Sequence, residues 1–254
     1  MSILPLFQNI FAPPRDLILI ILAAWIGLTL SERGAPGHPV NLDALNNLLL
    51  ASLGGFLIGG RLLYALENFP TFSQSPGSIF SLNTALFDQW GGLAIAVLAG
   101  LAYGRRAHLP LWDSLDVLTP LFAALAIGIA LSHLASGAAF GKETNVPWAV
   151  EQWGALRHPT QLYETIAALV TLAVILIQKP AAGPGFEFLL FVALSSASRL
   201  VLEGFRGDST LILGGLRAAQ IAAWFILLGA LIGLDQRGSP GQAKGARVRA
   251  RSGK

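Results

Sequence analysis

The eight residues Arg157-His158-Pro159-Thr160-Gln161-Leu162-Tyr163-Glu164 gather a guanidinium, an imidazole, an amide, a phenol and a carboxylate. An apolar run from Thr165 to Ile177 follows at once. Polar groups at the mouth of a membrane helix are costly to place and therefore mark candidate function. Imidazole titrates near neutral pH, so His158 is a candidate general base; a loop histidine beside Pro159 is the plain alternative. Gln161, Tyr163 and Glu164 resemble a polar helix start, but together they exceed what capping requires. A second group lies further on. Arg199 and Glu203 are four residues apart and share one helix face. They either neutralise each other or serve a phosphate, with Arg199 gripping it through planar, bidentate donors and Glu203 holding the arginine. Arg206-Gly207-Asp208 reads as a turn or as a substrate-facing loop. Arg61, with Tyr64 three residues on, either snorkels to the interface or completes a phosphate site. His133 stands alone in an apolar run, as a base or as a core histidine bonded to a backbone carbonyl. The four histidines, His38, His108, His133 and His158, show no ligand-like spacing, so neither a metal nor another cofactor is indicated.

Composition says what must hold these groups. Of 254 residues, 54% are hydrophobic and 12% charged, and the mean hydropathy is +0.61. Soluble domains carry about 25% charged residues. Such a chain cannot cover a globular surface with polar side chains, so a bilayer is its solvent. It has no cysteine, which excludes disulfides, thiolate zinc sites and a cysteine nucleophile within the chain. The net charge is +3, and basic residues collect after Asp235: Arg237, Lys244, Arg247, Arg249, Arg251 and Lys254. Residues 1–235 therefore read as a polytopic membrane domain. Residues 236–254 read as a basic cytoplasmic tail without fixed structure, facing anionic lipid. Nucleic-acid binding is disfavoured, because the tail offers no aromatic partner for bases. No cleavable signal peptide is evident, and Ser2 to Phe11 reads as an interfacial segment ended by Pro13-Pro14.

Seven apolar runs predict an all-α integral membrane protein of about seven spans. They are Leu17–Leu30, Ala44–Leu66, Trp90–Tyr103, Val117–Gly141, Leu162–Ile177, Phe188–Leu202 and Ala218–Leu234. The first is short against the roughly 20 residues a span needs. None shows the alternation of a barrel strand. Glu67 to Gln89 holds no Lys or Arg, whereas the Arg105-Arg106 loop and the tail are basic. Seven spans then put the N-terminus outside and the C-terminus in the cytoplasm. On this plan Arg61, His133, Lys142, His158, Arg199 and Arg206 converge on the external half. The pairs Gly54-Gly55, Gly59-Gly60 and Gly91-Gly92 suit close helix packing or a gap that admits lipid. There is no internal repeat to support a transporter.

Four stretches carry a resemblance. Gly59-Gly60-Arg61-Leu62-Leu63-Tyr64 looks like a Gly-x-Arg-Leu-x-Tyr segment, and Gly91-Gly92-Leu93 with Arg105-Arg106 like a helix and its cytoplasmic turn. Arg157 to Glu164 is similar to Arg-His-Pro-Ser-Gln-Leu-Tyr-Glu. Arg199 to Asp208, with Gln220 beyond, looks like Arg-x-x-x-Glu-x-x-Arg. Together, from about Val40 to Gln220, the chain resembles the bacterial prolipoprotein diacylglyceryl transferase family. The resemblance implies a multi-pass enzyme of the bacterial plasma (inner) membrane. Its substrates would be phosphatidylglycerol and a prolipoprotein signal peptide with its lipobox cysteine. A thioether would form and glycerol phosphate would leave. The reading of the chain as a divergent active enzyme takes His158, His133 and Glu203 as candidate catalytic residues, with His133 standing where the family has an asparagine. It implies Arg61, Lys142, Gly141, Gln161, Tyr163, Glu164, Arg199 and Arg206 as substrate or phosphate contacts. The chain departs from the family pattern at Leu45, Trp90, Ala130, His133 and Ala138. A homologue that binds lipid or a partner without catalysis is the alternative implied by those departures.

Overall fold

In the computed structural model the described residues are 3–81, 86–178, 183–212 and 214–238. Most of the tail expected to lack fixed structure, 239–254, lies outside them. The helices are α1 (Ile3–Ile10), α2 (Leu17–Gly34), α3 (Leu42–Glu67), α4 (Phe69–Gln74), α5 (Gln89–Arg106), α6 (Leu111–Ser136), α7 (Thr160–Ile177), α8 (Phe186–Leu202) and α9 (Ala218–Gly238). Two short hairpins interrupt them, β1 (Val150–Gln152) with β2 (Ala155–Arg157), and β3 (Leu211–Ile212) with β4 (Leu216–Arg217). The protein is a helical membrane protein, as its composition requires. Large apolar side chains such as Ile21, Trp25, Ile58, Ile166 and Phe225 point outward. The core is dominated by small ones, the arrangement that lets helices approach closely in lipid.

Among the described residues, six helical segments are long and apolar enough to span a bilayer: Leu17–Gly37, Leu42–Glu67, Leu111–Ser136, Thr160–Ile177, Phe186–Phe205 and Ala218–Arg237. The remaining apolar run of the sequence forms α5, a helix all the same. Its 18 residues include four glycines and Arg105-Arg106, which dilute its hydropathy. The first run reaches spanning length because the helix continues through Ser31-Glu32-Arg33.

The chain divides into two compact units, Pro39–Ser114 and the remainder. In the first, α3 and α5 pack together, each with a side-chain N-cap: Asn41 accepts from the Ala44 amide, and Asp88 from those of Trp90 and Gly91. Gly55, Gly59, Gly60 and Gly92 serve close packing here, whereas Gly54 faces open space. A Cβ at Gly92 would lie 2.9 Å from the Phe56 carbonyl. In the larger unit α6 is the central helix, with 61% of its spanning window buried against 11–22% for α2, α7, α8 and α9. Asp116 of α6 is itself buried and accepts from the Gly185 and Phe188 amides, so it caps the start of α8 from a neighbouring helix.

Candidate active site

The site is assembled at one end of the larger unit, from the end of α6, the start of α7 and the end of α8. A miniature sheet ties these ends together. Gly141 bridges to Arg206, and Glu143 bridges to Arg157 of β2, which pairs in turn with β1. The Lys142 amide donates to the Phe205 carbonyl (2.8 Å), and the His158 amide donates to the Lys142 carbonyl (3.0 Å). These bonds lock the segment after α6 between the segments that begin α7 and end α8. Gly141 sits where nothing larger fits, since a Cβ there would run into the His158 carbonyl. Gly141→Ala should therefore separate the loops. The expected result is folded protein in reduced yield, destabilised by the roughly 1–3 kcal/mol that a core clash costs, with lowered activity. Thermal unfolding in detergent alongside an activity assay checks it.

Glu164, one turn into α7, is the hub. Its Oε1 accepts from Arg206 Nη1 at 3.0 Å and from Arg199 Nη1 at 3.3 Å. Its Oε2 lies 4.0 Å from His133 Nδ1. Arg199 Nη2 meets Glu203 Oε2 at 2.9 Å, an i,i+4 contact between charges whose alignment is too poor for a hydrogen bond. Arg206 forks onto Asp208 with two bonds of 2.9 Å. Burial works against the Arg206 charge. The Asp208 hydrogen bonds and the Glu164 charge outweigh it and hold the guanidinium above its ordinary value. Arg217, which no sequence motif singled out, donates to the carbonyls of Glu203 and Arg206 and to Ser209 Oγ. It clamps the turn that carries the acidic partners. Its only sequence signal was a cation directly before the last apolar run.

Exposure separates the roles. Arg199 is 40% exposed and His133 36%, whereas Arg206 is 11% and Glu203 2% exposed. Arg199, His133 and Glu164 line one end of a cleft of about 250 Å³ between α6, α7 and α8. Its other walls are small or apolar, among them Ala126, Ala130, Ala167, Ala168 and Ser195. The core-histidine reading of His133 does not hold. Its Nδ1 meets no backbone carbonyl, and the ring opens on the cleft. Gln161 is fully buried and donates to the Ala138 carbonyl and Gln152 Oε1, so it braces the hairpin and cannot touch a substrate.

His158 belongs to a neighbouring aromatic cluster. Its Nδ1 lies 3.4 Å from Tyr163 Oη, which accepts from Trp148 Nε1 at 2.7 Å, and its ring packs edge-on against Phe205. Trp148 is another contact that no motif announced. Arg157 donates to the Gln152 and Gly141 carbonyls and to Glu143, and lies over the Phe140 ring. Lys142 enters the site only through its backbone; its side chain is exposed. Arg61 lies in the Pro39–Ser114 unit. Its guanidinium closes the following loop by donating to the carbonyls of Ser78, Ile79, Ser81 and Leu86. Of the positions that depart from the family pattern, Ala130 and His133 line the cleft, Leu45 is buried and Trp90 is exposed.

The arrangement can hold an anion at Arg199, accept a proton at His133 and house an apolar chain below them. Residues 17–234 match the family model for prolipoprotein diacylglyceryl transferase. The chain is 32% identical to the phosphatidylglycerol–prolipoprotein diacylglyceryl transferase of Trichormus variabilis, over 85% of this chain and 82% of that protein. It is 30% identical to the one from Acaryochloris marina, over 91% and 92%, and 29% identical to the one from Clostridioides difficile, over 85% and 87%. With a match running through every spanning helix and both halves of the polar cluster, the chain belongs to the prolipoprotein diacylglyceryl transferase family.

Proposed function

We propose that this chain transfers the diacylglyceryl group of phosphatidylglycerol to the lipobox cysteine thiol of a prolipoprotein, in the bacterial plasma membrane. The observation that carries the reading is the amphipathic cleft, with Arg199 and His133 at its polar end and small side chains below. An acyl chain fits the apolar part, and the lipid phosphate then meets the exposed face of the Arg199 guanidinium. Glu164 and Glu203 hold that guanidinium from two sides, which fixes its direction before the substrate arrives.

The reaction needs a base and an anion stabiliser. His133 takes the thiol proton, and Glu164 beside Nδ1 stabilises the imidazolium. The thiolate sulfur attacks the glycerol carbon that bears the phosphate. A C–S bond forms, the C–O bond to phosphate breaks, and the electron pair leaves with glycerol phosphate, whose charge Arg199 meets. The proton passes from His133 to the released phosphate. Geometry favours His133 over His158 as the base, because His158 is packed against Tyr163 and Phe205. Glu203 is buried too deeply to touch substrate and acts through Arg199. The alternative of a homologue without catalysis is not favoured, since the cation, the imidazole and the cleft are all in place.

Purified protein, phosphatidylglycerol micelles and a lipobox peptide test this reading, with glycerol phosphate release as readout. Release that requires the peptide thiol is the expected result; folded, lipid-loaded protein that releases none would overturn it. His133→Gln should lower the rate by about 10²–10⁴-fold and leave phosphatidylglycerol binding intact. A rate unchanged in His133→Gln but lost in His158→Gln would move the base to His158.

A further inference from the structure

A second cavity of about 380 Å³ lies in the larger unit, where α2 and α7 end and α8 begins. Those are the ends of α7 and α8 away from the Arg199 cleft, so this cavity belongs to the opposite membrane face. One wall is apolar and made by the spans: Leu30 of α2, Val117 and Pro120 of α6, and Ile175 and Leu176 of α7. The other side is polar, with Arg33, His38, Glu187 and Gln178. Leu176 and Ile177 at the end of α7 are exposed on the helix surface, so the apolar wall continues into the surrounding lipid. The volume is at the small end of the roughly 300–1,000 Å³ usual for ligand pockets, enough for a headgroup and the start of its glycerol.

The charges decide which headgroup. Asp116 also reaches this cavity, but its carboxylate already accepts from the Gly185 and Phe188 amides at the α8 N-terminus, which answer its charge. Glu187 is therefore the anion presented to an occupant. Arg33 supplies the cationic side. An anionic headgroup alone would leave Glu187 facing a phosphate, and a cation alone would leave Arg33 unanswered. A phosphate joined to an ammonium group satisfies both.

We propose that this cavity is a structural site for a zwitterionic phospholipid of the ethanolamine type, with the ammonium group at Glu187 and the phosphate at Arg33. It is separate from the transfer site and does not depend on it. The bilayer-facing apolar wall selects the lipid over soluble phosphoethanolamine.

The test is native mass spectrometry of the full-length protein, delipidated in detergent and then titrated with phosphatidylethanolamine, phosphatidylglycerol or soluble phosphoethanolamine. One phosphatidylethanolamine should be retained per chain, soluble phosphoethanolamine should not be, and phosphatidylglycerol held at the transfer site should not displace it. Glu187→Gln, close to isosteric, should weaken that retention about tenfold, and Arg33→Ala, at an exposed position, should weaken it several-fold. Glycerol phosphate release at the other face should be unchanged in both variants. Phosphatidylglycerol retention as sensitive to Glu187→Gln as that of phosphatidylethanolamine would overturn the proposal, as would phosphatidylethanolamine retention unaffected by both substitutions. Soluble phosphoethanolamine binding as tightly as the lipid would also overturn it.

Discussion

Arg199→Ala should lower glycerol phosphate release by about 10²–10³-fold, the cost of removing one preorganised donor from a developing anion. The variant should still insert and unfold near the wild-type temperature. Arg199 is 40% exposed, so its removal opens no core cavity. Glu164 keeps its shorter contact to Arg206. Glu203 loses its closest cation and keeps only Arg206 Nε at 3.9 Å, which makes a small loss of stability part of the expectation. Arg199→Lys should recover part of the activity, because an ammonium group supplies charge without the planar pair of donors. The decisive comparison is rate against stability. If Arg199→Ala is degraded or unfolded in membranes, the arginine is chiefly an ion-pair strut for Glu164 and Glu203, and phosphate must be held elsewhere.

Glu164→Ala should be the most destabilising single change in the site. It strips the carboxylate from between Arg206, only 11% exposed, and Arg199. It also removes the anion beside His133. Taking one partner from a largely buried ion pair costs about 3–5 kcal/mol, because the remaining charge is left without compensation. Asp208 stays on Arg206 and limits the damage. Thermal unfolding in detergent should show the loss directly, and transfer should fall with it. Glu164→Gln keeps the shape and an acceptor, so it should be milder in stability but still slow, since a neutral amide cannot stabilise the imidazolium. Wild-type unfolding of Glu164→Ala would mean that the two arginines are compensated without it and that Glu164 is not the hub.

The sequence signature was most informative where the chemistry is local. Arg199 and Glu203 are four residues apart, the latter capping the end of α8, and the structure brings them to 2.9 Å. Glu164 was visible as a polar residue at the start of an apolar helix, but its ion-pair partners were not. In the fold it pairs with cations 35 and 42 positions away in sequence. The partners of Gln161 were hidden for the same reason. In sequence it is one more polar group in a cluster; in the fold it faces Gln152 and the Ala138 carbonyl and is fully buried. Helix periodicity assigns a residue to a face but does not say which neighbour covers that face. Arg61 met a similar limit, since its loop of carbonyl partners spans Ser78 to Leu86 and no spacing rule brings them to it.

By itself the sequence determined the solvent, the helical class and the family. Hydropathy over whole segments is a summed, local property, and the Arg157–Glu164 signature is contiguous. Tertiary structure alone decided which of the polar residues share a site. It placed His133 beside Glu164, opened a cleft at Ala130 and Ala167, and enlisted Trp148 and Arg217. Those choices depend on the register at which α6, α7 and α8 pack, and that register is set by side-chain volumes across helices, which no single helix records.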